Sequence, residues 1–559
     1  MPKEAELQDF QPERSPQTLG CGHLLTLLGN EDLLTAVNIG RQLRLSVSSI
    51  LPLAAVVFLG FAPPALGAGV TLITHGYNGN VTDWVIPMGD KIPQYRGFPG
   101  SNSASYEISI TRSGSVYAAS QTFLDGVSPL ASDSGEIVIA LDWSTLSGGT
   151  VPTTAIATQA AAALLAPSLI PELNGRPLVE LPLHLVGHSR GGSVVTEVAR
   201  LLGAQGIWVD HVTTLDPHPE GLFGDPAMNN YANILFADNY WQNLGDGLFV
   251  PNGQSIAGAY NRHLTSLNGG YSSSHSDVHL WYHGTIDFTT PISVDQAMIT
   301  STVRAAWWTA TEAAGTNAGF LYSLIAGGNR LSSLEPAGAG NGRISDGLNK
   351  IWDFGAGLAA NRTGLSQNNG AWPNLIRLNL SGTNRFSIGE SIPLAFYHQY
   401  GTSTAAVANI RFYLDVDGNP YNGNENEIFQ DTVSGTGTNQ VFYSALDLSP
   451  DPATTLPGTY AVFARISDAT RTRYLYAPQK VVLGPSRQAP VLEAARVQTN
   501  QFRFTVSGWP GQKVIVQAST NLAQWVSIQT NTLAGTTLEF ADPESANYSR
   551  RYYRVRLSE

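Results

Sequence analysis

The chain of 559 residues has one cysteine, Cys21, and only 13% of its residues are charged. Cys21 precedes the cleavage site predicted below, so the mature chain has no thiol for a cysteine nucleophile, a thiolate zinc site or an iron–sulfur cluster. The 43% of hydrophobic residues argues against a disordered chain. The net charge of −12 argues against binding to phosphate backbones, so no nucleic acid partner is expected.

The N-terminal region has the pattern of an export signal. Arg41 and Arg44 precede an apolar run over residues 45–62, and the small residues Ala65 and Gly67 follow that run. This order predicts a secretory signal peptide that ends near residues 65–69, and hence a secreted protein. A membrane anchor is the alternative, which the prolines in and after the run disfavour. The polar stretch 1–40 is longer than an ordinary n-region, and it leaves open a translation start downstream of Met1.

Strand and helix patterns alternate in the first half of the mature chain. Helices are predicted over 156–166 and 193–203 from their apolar spacing. Short β-branched runs predict buried strands over 70–76, 136–143, 182–188, 210–216 and 232–238. We therefore predict an α/β domain over residues 69–372, after an N-terminal extension and signal peptide over 1–68.

Two small all-β modules are predicted after this domain. Residues 373–485 contain alternating runs of the immunoglobulin-like or fibronectin-like sandwich type, and 490–559 contain a shorter set. They are expected to hold the protein on a cell surface or a polymer. Asp415 opens a segment similar to a calcium loop, but Pro420 and Asn426 stand where such a loop needs Gly and Glu. A hairpin turn is the simpler interpretation, and no metal is predicted.

The segment LHLVGHSRGG, residues 183–192, contains the pattern G-x-S-x-G. An apolar strand precedes Ser189 and an amphipathic helix follows, which is the order that lifts a nucleophilic serine above a sheet. A phosphate-binding loop is the alternative, but its glycine and lysine patterns are absent. Ser189 is therefore the predicted nucleophile.

A serine nucleophile needs a base and an orienting carboxylate. Asp216 ends the next predicted strand and is the first choice for the carboxylate, with Asp238 in reserve. His275 precedes a predicted helix and is the first choice for the base, with His279 as the alternative. A zinc site built from the histidines of this segment is a rival, but their spacing matches no zinc-binding motif.

Two backbone N–H groups are candidates for an oxyanion hole. Arg190 follows the nucleophile at the predicted helix start, and Tyr77 follows Gly76 at the exit of the first predicted strand. Both amides are expected to face Ser189.

The segments around Tyr77, Ser189, Asp216 and His275 resemble the α/β-hydrolase family, in its lipase and esterase branch, with the pancreatic-lipase-like order Ser, Asp, His. The resemblance covers about residues 70–287. It implies a doubly wound, mostly parallel sheet, no cofactor, and a lipid or other ester substrate hydrolysed through an acyl-enzyme. A polyester depolymerase, a phospholipase, or a non-catalytic binding or adhesion protein with a vestigial hydrolase domain are the alternatives.

Overall fold

The computed structural model describes residues 69–93, 104–126, 136–170, 173–245, 251–271, 273–289, 298–310, 319–323, 363, 371–401, 405–437, 441–477 and 479–558. The signal peptide predicted within residues 1–68, together with Cys21, lies outside this range. In the described part of the chain, no helix has the length and apolar character needed to cross a membrane. The described chain divides into two compact units, which meet in sequence between Ser486 and Arg487.

The largest sheet has eight strands in the order β3-β2-β4-β1-β5-β6-β7-β8. The pair β2–β3 is antiparallel, and the other neighbours are parallel. Its central strands are buried on both faces, so polar residues such as Asp210 and His211 of β6 are buried together with the apolar ones. The strands are Val70–Thr74 (β1), Ala104–Ser113 (β2), Val116–Gly126 (β3), Ile137–Asp142 (β4), Leu183–His188 (β5), Val209–Leu215 (β6), Ile234–Trp241 (β7) and Tyr260–His263 (β8).

Helices lie against this sheet in two apolar clusters. Leu72 and Ile73, successive residues of β1, belong to different clusters, because neighbouring side chains of a strand point to opposite faces. One cluster includes α3 and α4, and the other includes α1 and α5. The helices are Val85–Gly89 (α1), Ser144–Ser147 (α2), Thr153–Leu165 (α3), Arg190–Ala204 (α4), Ser274–His283 (α5) and Ser301–Trp307 (α6).

The predicted fold class, an α/β chain with the doubly wound sheet of the α/β-hydrolases, is wrong. The described residues form 23 strands but only six α-helices, so the chain is mainly β. Helices α1, α2 and α6 have 5, 4 and 7 residues. A doubly wound sheet places helices in its crossovers. Between successive strands of this sheet, in the described chain, only the β4–β5 and β5–β6 connections contain a helix of more than two turns, α3 and α4.

The first compact unit also contains two smaller sheets that share one apolar core. One has the order β10-β17-β15-β12-β13, with β16 paired to β15, and the other has the order β14-β11-β9. Their strands are Pro373–Leu380 (β9), Arg385–Ser387 (β10), Ile392–Tyr400 (β11), Val407–Asp415 (β12), Asn426–Ser434 (β13), Phe442–Leu448 (β14), Gly458–Ser467 (β15), Thr472–Tyr476 (β16) and Val481–Gly484 (β17).

The second unit contains two three-stranded sheets, β18-β19-β22 and β21-β20-β23. Phe504, Val506, Val514, Val516 and Phe540 fill its core. Its strands are Val491–Gln498 (β18), Gln501–Ser507 (β19), Lys513–Ser519 (β20), Val526–Thr532 (β21), Thr537–Asp542 (β22) and Tyr552–Leu557 (β23).

Candidate active site

Ser189 occupies the single residue between β5, which ends at His188, and α4, which begins at Arg190. Its backbone has φ 55° and ψ −124°, a conformation that residues other than glycine rarely adopt. Three backbone hydrogen bonds hold it: the Ser189 N–H donates to the Leu215 carbonyl at 2.9 Å, and the Ser189 carbonyl accepts from the N–H groups of Gly192 at 3.0 Å and His218 at 3.3 Å. The tight turn places the serine side chain at the carboxyl edge of the sheet.

Glycines make this turn possible because the backbone approaches closely on both sides. A Cβ at Gly187 would lie 2.2 Å from the Gly191 carbonyl oxygen. A Cβ at Gly76 would lie 2.6 Å from the Cβ of Ser189 and 3.0 Å from its Oγ. The loop after β1 therefore lies directly against the serine side chain.

Asp216 and His275 form a buried hydrogen-bonded pair. Asp216 follows β6 with φ 43°, and its carboxylate is fully buried. Its Oδ2 lies 2.5 Å from His275 Nδ1. A carboxylate only accepts hydrogen bonds, so Nδ1 carries the proton and Nε2 keeps a free lone pair. That is the tautomer in which an imidazole accepts a proton from a serine hydroxyl.

Gln242, which the sequence reasoning missed, holds this carboxylate in place. Its backbone N–H donates to Asp216 Oδ1 and its Nε2 to Asp216 Oδ2, both at 2.8 Å. Its Oε1 accepts a hydrogen bond from the Ser274 hydroxyl at 3.0 Å. Gln242 thereby connects the carboxylate to the start of the helix that carries His275. The sequence contains no motif that marks it.

His188, the residue before Ser189, was also missed. Its Nε2–H donates to the backbone carbonyl of His275 at 2.9 Å, and the two rings lie 4.5 Å apart. Burial, with a smaller contribution from His275, lowers the pKa of His188 to about 3. The nucleophile turn and α5 are therefore joined by an uncharged imidazole.

Burial acts in opposite directions on the two members of the Asp216–His275 pair. It raises the pKa of Asp216 to about 6, against the hydrogen bonds from Gln242, which lower it. Burial, aided by nearby His218, lowers the pKa of His275 to about 3. Both shifts arise because a buried site disfavours charge. Above about pH 6 the pair consists of a carboxylate and a neutral imidazole.

The helix with the predicted base begins earlier than expected. The sequence placed His275 on a loop before a helix, but α5 begins at Ser274, so His275 lies in its first turn. His279, the alternative base, stacks on Trp84 with ring centres 4.2 Å apart and lines the same cavity as Ser189. The carboxylate of Asp216 bonds His275 rather than His279.

Asp238, the reserve carboxylate, is placed elsewhere. Its Oδ1 accepts hydrogen bonds from His211 Nε2 at 2.8 Å and Thr213 Oγ1 at 2.6 Å. The sequence predicted a strand that ends at Asp238, but β7 continues to Trp241. Asp238 therefore lies within the sheet, where it bonds β6, and the edge position is taken by Gln242.

Arg190 and Tyr77, the predicted oxyanion donors, both border Ser189. Arg190 is the first residue of α4, so its N–H has no acceptor within that helix. Its buried guanidinium forms a bidentate ion pair with Asp225, at 2.7 and 2.8 Å. The same guanidinium lies over the ring of Phe223, which stacks on Tyr77. The Arg190 side chain thus supports the loop that carries the second donor, a role the sequence did not predict.

His75 fixes the other end of that loop. It is fully buried, and its Nδ1 lies 3.0 Å from the Gly76 carbonyl oxygen, to which it donates. Its Nε2 lies 3.3 Å from both the Trp143 backbone nitrogen and the Asp142 Oδ1, and the His75 and Trp143 rings stack. The backbone of residues 75–77 is therefore held before any ligand arrives.

A cavity of about 650 Å³ lies over these residues. Ser189, His275 and Tyr77 are among its lining residues. The volume lies in the range of small-molecule sites.

Neither metal site considered from the sequence is formed in the described chain. No group of three or more His, Cys, Asp or Glu side chains in the described residues could hold a metal ion. In the segment that begins at Asp415, the Asp417 carboxylate accepts hydrogen bonds from Asn422 and Asn424. Both amides donate to the same oxygen, Asp417 Oδ2.

No family model matches this chain, and neither does any curated protein. Solved structures give partial matches. A CARDB domain from Pyrococcus furiosus is 12% identical, with 21% of this chain and 97% of that one covered and a TM-score of 0.14. A superoxide reductase (neelaredoxin) variant from Ignicoccus hospitalis is 10% identical, with coverage of 19% and 79% and a TM-score of 0.13. A red sea bream transglutaminase is 14% identical, with coverage of 33% and 29% and a TM-score of 0.14. Scores this low carry no argument about fold or function.

Proposed function

We propose that this protein is a secreted serine hydrolase of carboxylic esters, of the lipase or carboxylesterase type. The observation that carries the proposal is the strained Ser189 turn, which shares one cavity with a His275 whose Nδ1 is held by Asp216. A hydroxyl, an imidazole with a free lone pair and a buried carboxylate are the groups that acyl transfer requires.

In the proposed reaction, Ser189 Oγ attacks the ester carbonyl carbon while His275 Nε2 takes the hydroxyl proton. Asp216 stabilises the imidazolium through the Nδ1–H bond. The N–H groups of Tyr77 and Arg190 stabilise the negative carbonyl oxygen. His275 then protonates the leaving alcohol, and an acyl-enzyme on Ser189 remains. Water, activated by the same imidazole, hydrolyses that acyl-enzyme and regenerates the serine.

The first prediction concerns Ser189→Ala. The wild-type protein is expected to hydrolyse p-nitrophenyl butyrate and to react covalently with a fluorophosphonate probe, because only an activated serine is phosphonylated. Ser189→Ala should lose the labelling and reduce kcat by a factor of about 10⁴ or more. Ser449→Ala, a change at an exposed serine of the β14–β15 connection, is the matched control and should behave as wild type.

Equal turnover by wild type and Ser189→Ala would contradict the proposal. A folded wild-type protein that neither hydrolyses the ester nor reacts with the probe would instead support the non-catalytic binding protein.

A further inference from the structure

Aromatic rings dominate the cavity that holds Ser189 and His275. Trp84, His188, Tyr271 and His279 all line it. The ring of His279 lies 4.2 Å from that of Trp84, 4.8 Å from that of His188 and 5.1 Å from that of Tyr271. These four residues, which we call the ring wall, form one continuous set of contacts beside the serine.

The ring wall is rigid. Trp84 is 6% exposed and His279 is 4% exposed, and Trp84 packs into the apolar cluster that includes Val85 and Met88. His188 is held by its hydrogen bond to the His275 carbonyl. Side chains packed in this way cannot swing aside to admit a long substituent without loss of packing.

The chemistry of the lining does not suit a long alkyl chain. No Leu, Ile, Val or Met is among the described residues that line the cavity. Asp83, Glu220 and His218 also line it. An alkyl chain gains free energy when it leaves water for apolar surroundings, and it gains less where it must desolvate polar groups. Two acidic residues at the site also disfavour anionic substrates such as phosphatidylglycerol.

We infer that the ester substrates of this protein carry a short acyl group rather than a long alkyl chain, because the packed ring wall lies beside the serine and does not yield to a long substituent. The inference rests on the proposed function, since it concerns the acyl group transferred to Ser189. The ring wall then determines specificity, and the polar lining accommodates an uncharged, hydroxyl-bearing alcohol.

The test is the chain-length dependence of kcat/KM for p-nitrophenyl acetate, butyrate, octanoate and laurate, each below its micellar concentration. We expect kcat/KM for butyrate to exceed that for laurate by a factor of about 100. An equal or larger value for laurate would overturn the inference, and so would hydrolysis of phosphatidylglycerol vesicles as fast as that of butyrate. These results leave the proposed function standing. Absence of both ester turnover and fluorophosphonate labelling would overturn the proposed function, and the inference with it.

Variants of the ring wall test its role. Trp84→Ala should raise the ratio of laurate to butyrate kcat/KM by a factor of about 10 or more, because it removes the largest ring of the wall. Trp84 is buried, so the half-buried Tyr271 provides a second variant, Tyr271→Ala, with the same direction of change. Tyr443→Ala, at an exposed tyrosine of β14, is the control and should leave the ratio unchanged. An unchanged ratio in both folded wall variants would show that the wall does not limit acyl length.

Discussion

Gln242 connects the carboxylate of Asp216 to the helix that carries His275. Its side chain is fully buried and donates to both Asp216 Oδ2 and the Pro251 carbonyl, while its Oε1 accepts from Ser274. Such a residue touches no substrate. Under the proposed function it is a positioning residue, which acts through the orientation and the charge of the Asp216–His275 pair.

Gln242→Leu removes the side-chain hydrogen bonds and keeps the backbone N–H bond to Asp216 Oδ1. A hydrogen bond to a charged group contributes about 1.5–3 kcal/mol, so kcat should fall by a factor of about 10 to 100 with little change in KM. The hydrogen bonds from Gln242 lower the pKa of Asp216, and their loss should raise it above about 6. The active ionisation state exists above the pKa of the pair and is lost as pH falls through it. The acid limb of kcat/KM, measured from pH 4 to pH 9, should therefore move to higher pH.

Gln399→Leu is the control for this variant. Gln399 is also buried, and its Oε1 accepts from the side chains of Trp208 and Asn374. Gln399→Leu should reduce thermal stability about as much as Gln242→Leu does, but it should not change the pH profile of kcat/KM. If both variants move the acid limb equally, Gln242 has only a structural role.

The sequence predicted the residues of this site that stand in a local pattern. Ser189 lies between glycines that a tight turn needs, and Asp216 and His275 follow or begin regular elements. Gln242 and His188 could not be predicted, because their partners depend on which strands lie side by side. Asp216 and Gln242 are the residues that directly follow β6 and β7. Because these two strands pair in register, the two residues lie next to each other.

The turn at Ser189 and the loop after β1 act together as one element. Gly76→Ala would place a Cβ 2.6 Å from the Cβ of Ser189, so one of the two segments must move. A displacement of about 1 Å in a reacting group can cost a factor of about 100 in rate. We expect Gly76→Ala to lower kcat for p-nitrophenyl butyrate by about that factor while the protein still folds, as measured by steady-state kinetics and circular dichroism.

Gly221→Ala is the control for Gly76→Ala. A Cβ at Gly221 has open space around it, with no atom within 4 Å. Its kcat should equal that of wild type. A Gly76→Ala protein with unchanged kcat would show that the loop after β1 does not hold the serine.

The elements themselves were only partly predictable. Apolar runs correctly marked the buried strands that became β1, β4, β5, β6 and β7. The hairpin of β2 and β3 was missed, because β3 is mostly exposed and has no apolar pattern. The fold class was inferred from the alternation of strand and helix patterns and from the family resemblance, but within the described part of the eight-stranded sheet only α3 and α4 are helices of more than two turns between parallel strands. The remaining elements depend on pairing between strands that lie far apart in the sequence.

At the scale of the whole first unit, a buried ion pair joins the eight-stranded sheet to β16. Arg473 Nη2 lies 3.1 Å from Asp210 Oδ2, and its Nη1 donates to the Trp208 carbonyl at 2.8 Å. Both charged side chains are almost fully buried. Removal of one partner leaves an uncompensated buried charge, which typically costs about 3–5 kcal/mol.

Arg473→Met should therefore lower the stability of the first unit by about 3–5 kcal/mol, visible as an earlier calorimetric transition of the full chain. The double variant Arg473→Met/Asp210→Asn should recover part of the loss, because an asparagine oxygen still accepts the Leu183 N–H that now bonds Asp210. The transition of the second unit should not move. A single variant as stable as wild type would contradict this account of the ion pair.

The same ion pair has a consequence for how the chain acquires its structure. Asp210 and Arg473 are 263 positions apart, and Trp208 contacts Gln399 across 191 positions. A ribosome must therefore add more than 250 residues after Asp210 before the cation that neutralises it exists. Contacts of such long sequence separation slow folding, because a large loop must close before they form. All eight strands of the sheet exist once residue 263 has been made, but the charge of Asp210 stays unpaired until Arg473 follows, so we expect the sheet to reach its full stability only after β16 has formed.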